Sequence, residues 1–174
     1  MGKKYTTSPA DERAVDGAMV NEGTRTTPQY YMYGLFYADG GNTSLKASSD
    51  GFMPSYGANA SGAKVASFIG KIDASSGDII RGTFLSARMG TSGKCSPNTI
   101  KPISIKVDST GVIVTGASYY GAPVANATPS TLKQITKYYS QSGGYTYIAT
   151  FSKDLKFLLN TAGATDFVAR TCSN

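Results

Sequence analysis

Histidine and tryptophan are absent from this chain, cysteine occurs twice, and only 16% of residues are charged. Each shortage excludes something. Without histidine, general acid–base or triad chemistry would have to rest on Asp, Glu, Lys, Tyr and Cys. The two cysteines, Cys95 and Cys172, leave no second pair at zinc-ligand spacing. No apolar run approaches the length of a membrane-crossing helix, so no membrane span is expected. Apart from the neighbours Asp11 and Glu12, the eleven carboxylates stand singly along the chain. Asp73, Asp108 and Asp154 flank expected hairpins, where a carboxylate organises a turn. Asp73-Ala-Ser-Ser-Gly-Asp78 sets oxygen atoms at alternate positions, as a calcium loop does. It lacks the acidic density and closing glutamate of an EF-hand. No cofactor and no catalytic residue is therefore expected, calcium at that turn being the one candidate.

What is abundant is glycine (20) and tyrosine (12), with serine and threonine throughout. Tyr, Thr and Val suit pleated, half-buried surfaces, and this balance is that of an all-β extracellular or cell-envelope protein. At 174 residues the chain is long enough to bury a real core. Met1-Gly-Lys-Lys runs straight into polar residues, so a secreted reading takes the chain as a mature form or a fragment. The net charge of +6 comes from Lys and Arg scattered singly, as Lys71, Lys106 and Lys156 are. Scattered cations keep a sheet soluble, whereas a phosphate-binding surface needs them clustered, so no nucleic-acid partner is expected.

For Cys95 and Cys172 the reading is a disulfide tying the tail to the 86–98 loop, worth at most ~4 kcal/mol by loop entropy. Two unpaired thiols in a reducing compartment are the alternative. Three N-x-Ser/Thr sequons, at Asn42, Asn59 and Asn126, lie in stretches that read as exposed loops and are candidate glycosylation sites.

Strand signals dominate the pass along the chain. Lys3 to Thr7 and Ala14 to Val20 are strand candidates, and Gln29 to Tyr37 carries five aromatic residues with Gly34 the only breaker. Hairpins are expected at 65–73 with 78–85, at 100–107 with 112–117, and at 145–150 with 155–160. A terminal strand follows at 167–171. The stretches 38–62 and 86–97 read as loops, the first with room for one short strand. Between Pro129 and Tyr139 the apolar spacing changes to 3 and 4, with Thr128 able to cap, which predicts one short helix.

The hairpins also repeat. Tyr30-Tyr-Met-Tyr-Gly34 matches Val112-Ile-Val-Thr-Gly116 at an offset of 82 residues, and Phe68 to Asp73 matches Tyr147 to Ser152 at 79. Such repeats mean stacked units that cannot bury their apolar faces alone. The units are about 3–85 and 86–161, with a C-terminal strand within 162–174, forming a single all-β domain over 1–174. The run from Phe68 through Leu85, then Ile103 to Ala117 and Pro123, resembles the seven-bladed β-propeller repeat (SBBP) family. Its repeat pairs an apolar strand ending in Asp, a small-Gly turn and a Thr-Phe-Leu strand with a second hairpin ending Thr-Gly. Asp166-Phe-Val-Ala-Arg170 fits the start of a further unit. The resemblance covers about half the chain. It implies an extracellular or envelope location and a binding or scaffolding role, and supplies no catalytic residues. The period of about 80 residues departs from the roughly 50 of the longest common propeller repeats.

The expected fold is a β-propeller-like repeat of antiparallel hairpins with long loops and one short helix, a β-sandwich being the alternative. The expected function is a non-enzymatic extracellular structural or adhesive module. Its partners would be copies of itself or other segments of a larger assembly, a lectin-like module binding glycans being the alternative. Tyr30, Tyr31, Tyr33, Phe36 and Tyr37, with Tyr119, Tyr120, Tyr138 and Tyr139, are the interface candidates, because Tyr is an apolar plate with a polar tip.

Overall fold

The computed structural model describes residues 12–39, 44–55, 65–89, 96–118, 121–123, 133–135, 144–163 and 169–171. Its strands, in chain order, are β1 (Glu12–Asn21), β2 (Tyr30–Asp39), β3 (Val65–Asp73), β4 (Ile79–Leu85), β5 (Ala87–Met89) and β6 (Ser96–Asn98). They continue with β7 (Ile100–Val107), β8 (Val112–Ser118), β9 (Lys133–Ile135), β10 (Tyr145–Phe151), β11 (Leu158–Ala162) and β12 (Ala169–Thr171). Two four-stranded antiparallel sheets organise them, β1-β2-β3-β4 and β7-β8-β10-β11; β5 pairs with β6 and β9 with β12. The fold is all-β, and among the described residues no propeller closure is seen.

Turn chemistry explains where the strands reverse. Asp73 Oδ1 accepts from the Ser75 and Ser76 amides, and Asp108 Oδ1 from the amide and hydroxyl of Thr110. Ser152 donates to Asp154 Oδ1, which also accepts from the Lys156 amide. All three carboxylates act as turn organisers. Gly111 has φ of 142°, and a methyl group there would fall 2.2 Å from the Phe151 carbonyl oxygen. Only glycine fits that close approach.

A row of glycines crosses the first sheet. Gly17 stands opposite Gly34, Gly34 opposite Gly70, and Gly70 opposite Gly82. The missing side chains leave a trough, and the next row fills it: Phe36, Phe68 and Phe84 are also cross-strand neighbours. Centroids of Phe68 and Phe84 lie 5.2 Å apart and those of Phe36 and Phe68 6.0 Å. Their rings lean over the backbone, so that a methyl group on Gly34 or Gly82 would come within 2.6 Å of Phe36 or Phe68 respectively. Aromatic rings thus cover backbone that glycine would otherwise leave bare.

The two sheets are built alike. In the first, the β3–β4 register slips between Lys71 and Ile72; in the second, the β10–β11 register slips between Thr150 and Phe151, the matching position 79 residues on. Both first hairpins carry a slip as well, passing over Val15 and Ile103. Buried residues of both sheets belong to one contiguous core, among them Leu35, Ile69, Val114, Tyr147 and Phe151.

Two stretches differ from expectation. The short helix between Pro129 and Tyr139 is contradicted where that stretch is described: Lys133–Ile135 is a strand paired with Ala169–Thr171. Helices this short are marginal in water, the surrounding Thr131, Thr136, Tyr138 and Tyr139 favour extended backbone, and β12 offers ladder hydrogen bonds. Secondly, the stretch read as a loop at 86–97 contains most of the β5–β6 ribbon. Lys3 to Thr7 lies outside the described residues. The long 38–62 connection begins later than expected, since Ala38 and Asp39 still belong to β2, and its next described part, 44–55, runs along the free edge of β4. Ser48 donates its amide to the Gly82 carbonyl, and Phe84 donates its own to Met53.

Replacing Gly111 by alanine is expected to cost about 1–3 kcal/mol, the range for strained backbone. Urea unfolding of the wild type and the variant measures it, and an unchanged midpoint would refute the close approach.

Candidate functional site

Strand β2 carries Tyr30, Tyr31, Tyr33, Phe36 and Tyr37, the interface candidates that fall among the described residues. Its side chains alternate, and the register sets Tyr31, Tyr33 and Tyr37 on the face that Ile69, Lys71 and Arg81 share. This front face meets the second sheet. Asp16, on the same face, accepts the amide of Ile105 in β7 at 2.9 Å, and Ser67 donates to the Ile100 carbonyl at 3.0 Å. Those two contacts occupy polar groups along β7, an edge strand that would otherwise present them bare. Phe36 belongs to the opposite, back face. Tyr33 is fully buried, Tyr31, Phe36 and Tyr37 are half-buried, and Tyr30 is 52% exposed.

Beside β2 lies a partly buried ionic clamp. Tyr33 donates its hydroxyl to Glu22 at 2.5 Å, and the Lys153 carbonyl lies 3.0 Å away on the second sheet's turn. Lys71 pairs with the other oxygen of Glu22 and sits 4.2 Å above the Tyr31 ring. Burial pushes the Glu22 carboxyl up. Hydrogen bonds from Lys71 and Tyr33, with the charges of Lys71 and Lys153, more than reverse this and hold it below the ordinary glutamate value. Burial first, and then the hydrogen bond to anionic Glu22, push the Tyr33 phenol well up, so it stays a donor. A second bridge runs alongside. Asp50 takes Arg81 at 2.8 Å and Lys156 at 2.9 Å, while Arg81 Nε donates to the Asp154 carbonyl. Phe52 adds an apolar link, meeting Phe151 edge-on with centroids 5.7 Å apart.

These groups hold the sheets together. The phenol stays protonated and the lysine is spent on a carboxylate and a ring. Of the interface candidates, Tyr33 is buried at this junction and half-buried Tyr31 lies under Lys71. Neither Glu22 nor Arg81 was singled out from the sequence. Glu22 stands in a turn-rich stretch and meets Lys71 only because β2 brings β1 and β3 to either side of it.

The second sheet has the free face. Its inner face carries Val112, Val114, Tyr147, Ala149 and Phe151, all buried. The outer face presents Ile113, Thr115, Thr146, Ile148 and Thr150, exposed or half-exposed, with Lys101 at the β7 edge. The matching positions decide orientation. Phe68, Gly70 and Ile72, on the back of the first sheet, correspond to Tyr147, Ala149 and Phe151, on the inner face of the second. Gly34, also on the back, corresponds to inward-facing Gly116. The second sheet therefore turns its back to the front of the first, and the two are stacked in the same sense.

Tyr119, Tyr120, Tyr138 and Tyr139 lie outside the described residues, as do Cys95 and Cys172 and the sequon residues Asn42, Asn59 and Asn126. Among the described residues no three His, Cys, Asp or Glu side chains group as metal ligands. No helix among them is long and apolar enough to cross a membrane. No family model, curated protein or solved structure matches the chain.

Because its folded pKa is lowered, Glu22 contributes stability above its ordinary value of 4.5, and this is lost as the pH falls through the folded value. The difference in unfolding free energy between wild type and Glu22→Gln should therefore shrink as pH falls below that value. Urea midpoints over a pH series check it; a constant difference would mean that the charge of Glu22 plays no part.

Proposed function

We propose that this chain is a non-enzymatic structural or adhesive β-repeat module, a pair of propeller-like blades that completes its stack with further units in an extracellular or envelope assembly. The observation that carries the reading is the same-sense stacking of the two sheets. A two-layer sandwich closes by turning equivalent faces toward each other. Stacking back onto front leaves a front at one end and a back at the other, each suited to another unit. The outer face of the second sheet supports this, with Ile148 37% exposed at its middle among β-branched neighbours.

The turn carboxylates favour scaffold over catalyst, since Asp73, Asp108 and Asp154 are already taken up by local donors. The sugar-binding alternative draws little from β2, where Tyr30 is the exposed ring and Lys71 covers Tyr31.

Light scattering of the purified chain across a concentration series, with negative-stain microscopy, tests the reading. The weight-average mass is expected to rise with concentration, and rings or filaments to appear. A strictly monomeric mass at the highest concentration would overturn it.

A further inference from the structure

If units add to the stack, the internal junction specifies which surfaces meet. Within the chain, the front of one sheet receives the back of the next. The front left over is the outer face of the second sheet, centred on Ile148. The back left over belongs to the first sheet, and only part of it is open. The β3–β4 side is closed, with Phe68, Ile72 and Phe84 buried. Along β1 and β2 the same face is accessible: Met19 is 62% exposed, Gly17 is exposed, and Met32 and Phe36 are half-exposed. Register places all of these on one face, with Met19 opposite Met32 and Gly17 opposite Gly34.

We infer that the outer face of the second sheet in one copy docks on the β1–β2 part of the first sheet's back in the next copy, head to tail. This deepens the self-assembly reading and rests on it. The contact is heterologous: it joins two different surfaces, so each copy keeps one of each free. Assembly then ends as a ring if the rotation closes and continues as a filament if it does not.

Two variants separate this arrangement from others. Ile148→Arg blocks the front end and Met19→Arg the back end. Both side chains are more than a third exposed, so both variants should keep the wild-type fold, which circular dichroism and thermal melting verify. Light scattering then compares wild type, each variant and their equimolar mixture. The expected result is concentration-dependent growth for wild type, monomers for each variant alone, and particles of twice the chain mass for the mixture. A mixed pair has one intact junction and two blocked ends, so it stops at two. If Met19→Arg alone forms dimers, like surfaces pair with like and the head-to-tail arrangement is overturned. If both variants assemble as wild type does, other surfaces join the copies, and the self-assembly reading survives while this inference fails. A monomeric wild type refutes both.

Discussion

A sheet with apolar side chains on both faces needs a neighbour on both, and that requirement shapes this molecule. The first sheet meets it by unlike means. Its back is filled partly from within, by phenylalanine rings lying over a row of glycines. Its front is covered by the second sheet. Burying a large aromatic side chain contributes about 1.5–3 kcal/mol, and Phe68 meets Phe84 edge-on and Phe36 at a tilt. A four-stranded meander could hardly be stable without that combination, since its hairpins alone are marginal in water. The second sheet is covered on its inner face, and its outer face is left to modest β-branched residues.

Polar groups decide how the sheets sit on one another. Apolar burial is non-directional, so a shared core would tolerate several angles between the layers. The clamp of Glu22, Tyr33 and Lys71, closed by the Lys153 carbonyl, is directional. So are Asp16 on the Ile105 amide and Ser67 on the Ile100 carbonyl. Exposed ion pairs such as Asp50 with Lys156 contribute little, about 0–1 kcal/mol. A shielded lysine deprived of its carboxylate is a different matter, because the charge left behind has lost its compensation. The clamp therefore fixes geometry more than it adds stability.

Much of the framework was legible in the sequence because it is local. Alternation around Ser-Ser-Gly77 and Ser-Thr-Gly111 marks two hairpins, and the Ser-Lys-Asp154 turn a third. Their residues all lie within a few positions of one another. The offsets linking Gly34 with Gly116 and Phe68 with Tyr147 also identified equivalent strands, though not which way they would face. What escaped the reading is non-local. Gly17, Gly34, Gly70 and Gly82 have no common spacing and form a row only once the register is set. Glu22 and Lys71 are 49 residues apart in sequence. The apolar spacing near Ile135 suits a helix until β12 arrives as an alternative partner for its backbone. Tyr31 and Tyr33 read as interface candidates, and nothing in their own strand signals that Lys71 of the neighbouring strand lies over their rings.

The separation between local and distant contacts also carries a kinetic consequence. Four pairings inside the two large sheets, β1–β2, β3–β4, β7–β8 and β10–β11, join strands across a short turn, so each can form as a short-range unit. Two of the contacts that dock the sheets span far more chain: 89 residues from Asp16 to Ile105 and 120 from Tyr33 to Lys153. Closing such loops costs entropy before the contact rewards it, which places docking late in folding. During that interval each half presents the very surface its sister will cover. The rate of docking thus sets how long those two surfaces stay open to solvent.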